Sequence, residues 1–310
     1  MVVTILAVPL EHPSPYPGAR RPDKSWFVDS NAVSIAAYQW GDDSDRPLLL
    51  AHGGFDFAGT MDGFAPLLAD GGWRVISWDQ RGHGDSEHAA LYNWESDQRD
   101  AMNVLDSVTE SAVPFVGHSK GGGVLMALAD VRPDRITAMA NLDGLPSERT
   151  IPDVSDRERR RLMAAELSER LDYRRSAHEG VRKAGTVHEL AARRQKMNPR
   201  LPIEWLEYLV PIGARLDDDG WRWKLDPSMR FGGFGPYRPE WGLARMPGIG
   251  VPFLAILGLE EDAMSWGTKP EDVVDWLPAG ARFETLEGTG HFVHIESPRR
   301  VADIVLEFLS

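Results

Sequence analysis

The chain has no cysteine. Disulfides, thiolate metal sites and a cysteine nucleophile are thereby excluded, and any nucleophile must be Ser, Thr, Asp, Glu or Lys. Positive charge is in short supply: 34 Lys and Arg stand against 47 Asp and Glu, a net charge of −13. Nucleic acids and anionic membranes both call for a basic face, so neither is an expected partner. No apolar run approaches the ~20 residues that span a bilayer. The apolar opening "MVVTILAVPL" has no basic residue before it and no small-residue cleavage pattern soon after, so it does not read as a signal peptide. A soluble, cytoplasmic protein is expected. There is no H-E-x-x-H and no clustered ligand set, and neither a metal nor a cofactor is implied. No internal repeat is evident.

What is present is a chain of 310 residues, 42% hydrophobic, enough for one large α/β domain with a substantial core. After a proline-rich lead-in, short apolar runs alternate with helical patterns. "NAVSIAAYQW", "PLLLAHGG", "WRVISWD", "VPFVGHS" and "ITAMANLDG" read as strands. Between them "GTMDGFAPLLADGG", "NWESDQRDAMNVLDSV" (with Asn93 or Ser96 as cap) and "KGGGVLMALADVRP" read as helices. Such alternation implies parallel strands with crossover helices in an open, doubly wound sheet. The ligand crevice of such a sheet lies outside the carboxyl ends of its strands.

The pattern changes between positions 145 and 247. This stretch opens with charged helical sequence ("SDRERRRLMAAELSERL") and later carries Trp205, Trp221, Trp223, Trp241 and a glycine-rich "GGFG" turn at 232–235. It is too long for an ordinary α/β connection. The strand–helix alternation then resumes in "VPFLAILG", "KPEDVVDWLP", "ARFETLEG" and "SPRRVADIVLEFL". The division expected is a core formed by 1–144 and 248–310, interrupted by a mostly helical cap at 145–247 that can cover a substrate and exclude water.

Within "PFVGHSKGGGV" one serine, Ser119, stands between Gly117 and Gly121. A strand-like run precedes it and a helix-like run follows, the setting of a G-x-S-x-G turn that lifts a nucleophile above a sheet. The glycines suit a turn so tight that side chains two places away would collide. A serine hydroxyl needs a base. His291, in "EGTGHFVHIESP" after the last strand, is the candidate; His118 and His294 read as packing residues. The base needs a carboxylate to fix its tautomer. "FLAILGLEEDAM" offers Glu260, Glu261 and Asp262 after the penultimate strand, in the chain order Ser, acid, His. Asp143 in "NLDG" competes from a different strand end. Oxyanion donors are expected at the Lys120 backbone N–H and at Gly54, with Phe55 next.

Assembled, "AHGG" (51–54), "WDQRGHGDS" (78–86), "GHSKGG" (117–122), "VPFLAILGLEED" (251–262) and "GHFVHIESP" (290–298) resemble the α/β-hydrolase fold superfamily, in its capped, epoxide-hydrolase-like or haloperoxidase-like esterase form. The resemblance implies an α/β-hydrolase fold, with a mostly parallel, doubly wound sheet and a helical cap inserted after the sixth strand. It marks Asp79, Arg81, Gly82, Gly84 and Ser86 as a structural turn. It places the acid at Glu261 by spacing; Asp262, the commoner residue type, is the expected acid. Lys120 stands where relatives carry Met, Leu or Gln, and is read as pointing to solvent or to an acidic neighbour. Serine rather than aspartate at the elbow implies acyl chemistry. The expected function is a serine hydrolase of a small ester or lactone, with Ser119, His291 and Asp262 as triad and Gly54 and Lys120 as oxyanion donors. Carbon–carbon bond hydrolysis or perhydrolysis with the same triad, and a non-catalytic receptor of the same fold, are the alternatives.

Overall fold

A computed structural model describes residues 8, 13–146, 160–161, 164–165, 167–169, 171–172, 181–229, 239–265 and 267–310. Its main sheet is built from β1 (Lys24–Asp29), β2 (Ser34–Trp40), β3 (Arg46–Ala51), β4 (Trp73–Trp78), β5 (Val113–His118), β6 (Ile136–Leu142), β9 (Phe253–Gly258) and β10 (Arg282–Leu286), in the order β1-β2-β4-β3-β5-β6-β9-β10. From β4 to β10 every neighbouring pair is parallel, whereas β2 runs antiparallel to both its neighbours, β1 and β4. The central strands read as unbroken apolar runs because helices cover both faces, so no polar face is needed. All six residues of β5 are buried.

Side-chain alternation divides each strand between two cores. Leu49 and Phe115 face the layer of α2 (Trp94–Asp106) and α3 (Lys120–Val131), together with Val104 and Leu125. Leu48 and Leu50 face the other layer, where α1 (Ala65–Asp70) and the C-terminal helix supply Leu68, Val301 and Val305. Of the two candidate caps for α2, Asn93 takes the position: its side chain accepts from the Ser96 N–H at 2.8 Å. Strand β1 has no counterpart among the runs read from sequence. It is an edge strand with one buried residue, Val28, so "KSWFVD" carries little apolar pattern.

Between Leu142 and Phe253 the chain leaves the sheet. The insert contains α4 (Val187–Gln195), α5 (Ile203–Gly213), a hairpin of β7 (Ala214–Asp217) and β8 (Gly220–Trp223), and α6 (Pro239–Arg245). A capping box starts α4, with Thr186 and Glu189 satisfying each other's backbone N–H groups. Leu190, Leu206 and Leu209 form a small core with Trp205, and Phe57 and Phe292 from the sheet-end loops join it. The insert therefore sits on the carboxyl ends of the strands. Most of the charged segment 155–171 and all of the "GGFG" turn lie outside the described residues. Three short helices follow: α7 (Pro270–Val273), α8 (Val293–Glu296) and the C-terminal α9 (Pro298–Phe308).

The packing of β3, β5 and α3 is tightest at Gly121, where a Cβ would lie 2.4 Å from the His52 carbonyl oxygen. Gly123 is less confined: its Cβ would meet only the Trp94 ring, at 3.3 Å. Gly121→Ala should lower stability in urea denaturation by about 1–3 kcal/mol through overpacking. Gly123→Ala should stay within about 1 kcal/mol, because helix propensity offsets the contact. Equal effects at the two positions would contradict this packing.

Candidate active site

Ser119 makes the turn from β5 into α3 alone, with φ 51° and ψ −124°. A non-glycine residue held there stores about 1–3 kcal/mol, so the surroundings must enforce it. They do so by hydrogen bonds and by the lack of space. The Ser119 N–H donates to the Leu142 carbonyl at 3.0 Å, and the Ser119 carbonyl accepts from Gly123 N–H at 3.0 Å. A Cβ on Gly117 would stand 2.8 Å from the Gly121 backbone, and one on Gly144 only 2.3 Å from the Ser119 carbonyl oxygen.

The His291 Nε2 lies 3.0 Å from Ser119 Oγ, and its Nδ1 lies 2.6 Å from Asp143 Oδ2. A carboxylate only accepts. Nδ1 therefore carries the proton, and Nε2 is the acceptor for the serine hydroxyl. Asp143 in turn accepts from Gly258 N–H through Oδ1 at 2.9 Å. All three side chains are buried. Asp262, the acid expected from the sequence, makes no hydrogen bond to His291; Asp143 takes that place. The Asp262 Oδ1 accepts from Met264 N–H at 2.8 Å and closes a local turn. Glu260 accepts from Gly288 N–H, and Glu261 is exposed.

The sheet order explains the substitution. Strand β6 lies directly beside β5, and Leu142 pairs with Ile256 of β9. The residue just past β6 thus points at the gap between Ser119 and the His291 loop. Past Gly258 the backbone is held beside the end of β10, Leu259 N–H donating to Leu286 O and Glu260 N–H to Thr289 O; Glu260 and Glu261 are exposed and Asp262 is tied into its own turn. A signal for Asp143 exists in "NLDG": like the glycines of the serine turn, Gly144 follows it because no side chain fits against Ser119.

The loop after β3 runs against the serine, since a Cβ on Gly53 would be 3.2 Å from Ser119 Cβ. Gly54 lines a cavity of about 390 Å³ between this loop and the insert, with Phe57, Met197, Trp223, Met264 and Phe292. The amide of Phe55, the alternative donor, is directed to His83 Nε2 at 3.2 Å. Lys120 begins α3, where the first amides lie outside the intrahelical ladder. Its side chain turns away from the cavity into a buried pair with Asp97 at 2.6 Å and a bond to Gln80. Burial raises the Asp97 carboxyl, and the Lys120 charge opposes this. The sequence reading allowed Lys120 an acidic neighbour without identifying Asp97; it missed two pairs, Arg194 with Asp56 and Arg200 with Glu296. Only a charged residue amid aromatics, as in "GGFDF", could have signalled the first.

Several histidines here are structural. His52 accepts the Gln80 N–H at Nε2, 2.9 Å away. His118 Nε2 bonds the His291 carbonyl at 2.9 Å, and its ring centroid lies 4.3 Å from that of His294. Burial pushes the His83 and His294 rings down to about 3, and lowers His52 and His118 well below their usual value. Among the described residues no cluster of three or more His, Asp or Glu could hold a metal, and no helix is long and apolar enough to cross a membrane.

His294 gives a test of sign. Its folded-state value of about 3 lies below the ~6.5 of an unfolded histidine, so the unfolded chain binds the extra proton between these values. The stability it contributes is complete above about pH 6.5 and is lost as pH falls toward 3. The melting temperature of the wild type should therefore fall relative to that of His294→Leu on going from about pH 7 to about pH 4.5. A constant difference would contradict burial of a neutral ring.

Residues 48–304 match the alpha/beta hydrolase family. The esterase YbfF of Escherichia coli (strain K12) is 26% identical, covering 86% of this chain and 94% of that protein. Epoxide hydrolase A of Mycobacterium tuberculosis (strain ATCC 25618 / H37Rv) is also 26% identical, covering 92% of this chain and 96% of the other. Among solved structures, the thioesterase domain from the curacin biosynthetic pathway superposes with a TM-score of 0.77 at 24% identity, covering 91% of this chain and 99% of that one. The chain belongs to the alpha/beta hydrolase family.

Proposed function

We propose that the chain is a serine hydrolase that cleaves a carboxylic ester or lactone of a small organic molecule through an acyl-enzyme. The observation that carries this reading is the unbroken hydrogen-bonded chain from Ser119 Oγ through His291 to Asp143. In the first half-reaction Ser119 Oγ attacks the carbonyl carbon while His291 Nε2 takes its proton. The imidazolium that forms is stabilised by Asp143, which remains ionised and holds the ring in place. The Nε2 proton then passes to the leaving alkoxide as the carbon–oxygen bond breaks. In the second half-reaction a water gives its proton to His291, attacks the acyl carbon and releases the acid, and the proton returns to Ser119. The negative oxygen of both tetrahedral intermediates falls to the backbone amides of Gly54 and Lys120, each such donor being worth about 100- to 1,000-fold in rate.

A serine at the elbow supports attack on an acyl carbon rather than on an alkyl carbon. The aromatic and methionine lining of the cavity supports an apolar group on the substrate. The insert, seated over the strand ends, acts in this reading as the cap that holds bulk water out of the site while admitting the one water that the second half-reaction consumes.

A fluorophosphonate probe should label Ser119 alone, and Ser119→Ala should lose both labelling and turnover of p-nitrophenyl esters. Asp143→Asn should lower kcat by about 10⁴-fold, because the amide favours the wrong imidazole tautomer. Asp262→Asn should leave kcat within about threefold, as expected away from the reacting groups. The reverse ranking of the two aspartates, or turnover that survives loss of the serine, refutes the assignment. An ester-inactive protein that cleaves a vinylogous diketone instead would move it to carbon–carbon hydrolysis.

A further inference from the structure

Two arginines of the insert end on the two loops that serve Ser119. Arg194, in the last turn of α4, donates to Asp56 Oδ1. The pair is buried, with 11% and 3% of the side chains exposed. Asp56 lies two residues past Gly54 in the loop after β3. Its second oxygen, Oδ2, has no hydrogen-bond partner among the described residues; the Arg194 charge is the main offset to burying this carboxylate, with a smaller one from His291. The guanidinium is fixed from the other sides by the Phe57 and Trp223 rings, 5.9 and 5.6 Å from their centroids.

Arg200, in the link to α5, repeats the arrangement on the histidine loop. Its Nε donates to Glu296 Oε2 at 2.8 Å and its Nη2 to the Gly288 carbonyl at 2.9 Å. Glu296 Oε2 also accepts the Gly290 N–H at 3.0 Å. These three bonds bracket His291 on both sides in sequence.

We propose that Arg194 and Arg200 are positioning residues: reaching down from the insert, they hold the Gly54 amide and the His291 ring in register with Ser119. The inference rests on the serine-hydrolase reading above. A seated insert then does more than shield the cavity, because the oxyanion donor and the base are aligned only while α4 and the link after it are docked. Neither arginine hydrogen-bonds Ser119, His291 or Asp143, although Arg194 also lines the cavity beside Gly54. Each acts through a carboxylate on a loop, and displacement of such a loop by about 1 Å can cost 100-fold in rate.

The test compares Arg194→Met and Arg200→Met with the paired variants D56N/R194M and E296Q/R200M. The pairs leave no buried charge stranded, so folding is preserved and is checked by melting temperature. Two readouts are taken: kcat and KM on a p-nitrophenyl ester, and affinity for phenylboronic acid. The boronic acid accepts an electron pair from Ser119 Oγ, whose proton passes to His291, and its adduct places an oxygen where the oxyanion forms. Each paired variant should lose about 10- to 100-fold in kcat with KM changed less than about threefold, and boronate affinity should fall by a similar factor. Each pair should lose no more than its worse single variant. Arg194→Lys and Arg200→Lys should recover most of the loss. Paired variants that keep kcat and boronate affinity within about threefold overturn the proposal, as does a loss confined to KM, which marks a pocket role. A wild-type protein that neither turns over esters nor binds boronate overturns the serine-hydrolase reading itself, a result distinct from failure of the arginines alone.

Discussion

The backbone has to reverse within one residue at position 119, and there is no room beside that reversal for anything larger than a hydrogen atom. Gly117 and Gly121 meet backbone to backbone on one side, and Gly144 meets the Ser119 carbonyl on the other. The strained torsions of Ser119 persist because β5, β6 and α3 close around them from three directions. The same contacts bring the ends of β3 and β6 within reach of one hydroxyl. The site is thus a by-product of packing that would otherwise look purely structural.

Keeping polar groups dry at this junction has to be compensated locally. Arg81 is held in a bidentate bond by Asp100, both N···O distances being 2.7 Å, and Lys120 is held by Asp97. Asp79 accepts from Ala58 N–H and Asp85 N–H, each at 2.7 Å, and from the Tyr38 hydroxyl. Burial together with the nearby Asp85 charge raises its carboxyl to about 6. A Cβ on Gly84 would fall 2.1 Å from Asp79 Oδ2, which accounts for the glycine in this turn. Such bonds add little net stability but forbid alternatives, because breaking any one leaves a buried group unpaired. The Asp79 bond to Ala58 holds the far end of the loop that carries Gly54, and the Lys120–Asp97 pair ties the start of α3, beside the serine, to α2.

This pattern also explains which features could be read along the chain. Ser119 and His291 were legible because each sits in a turn whose glycines are demanded by sterics, and sterics leave a local signature. The parallel strands were legible because burial on both faces makes them uniformly apolar. Asp143 competed poorly with Asp262, since spacing after a strand is local information while the choice between strand ends depends on sheet order. Leu142 pairing with Ile256 is a fact about strands more than a hundred residues apart. Asp56 with Arg194, and Arg200 with Glu296, escaped for the same reason: each joins the insert to a loop distant in sequence. Strand β1 was missed because an edge strand with little burial has no need of a strong pattern.

The account stands on Ser119 carrying the acyl group between the two halves of the reaction. Mixing the protein with a slowly hydrolysed ester, stopping with acid during the first turnover and measuring the mass of the peptide that contains residue 119 tests this directly. The expected result is a transient gain of the acyl mass on Ser119 that decays as product acid appears. Hydrolysis with no adduct there, or with the adduct on an aspartate or glutamate, would contradict it.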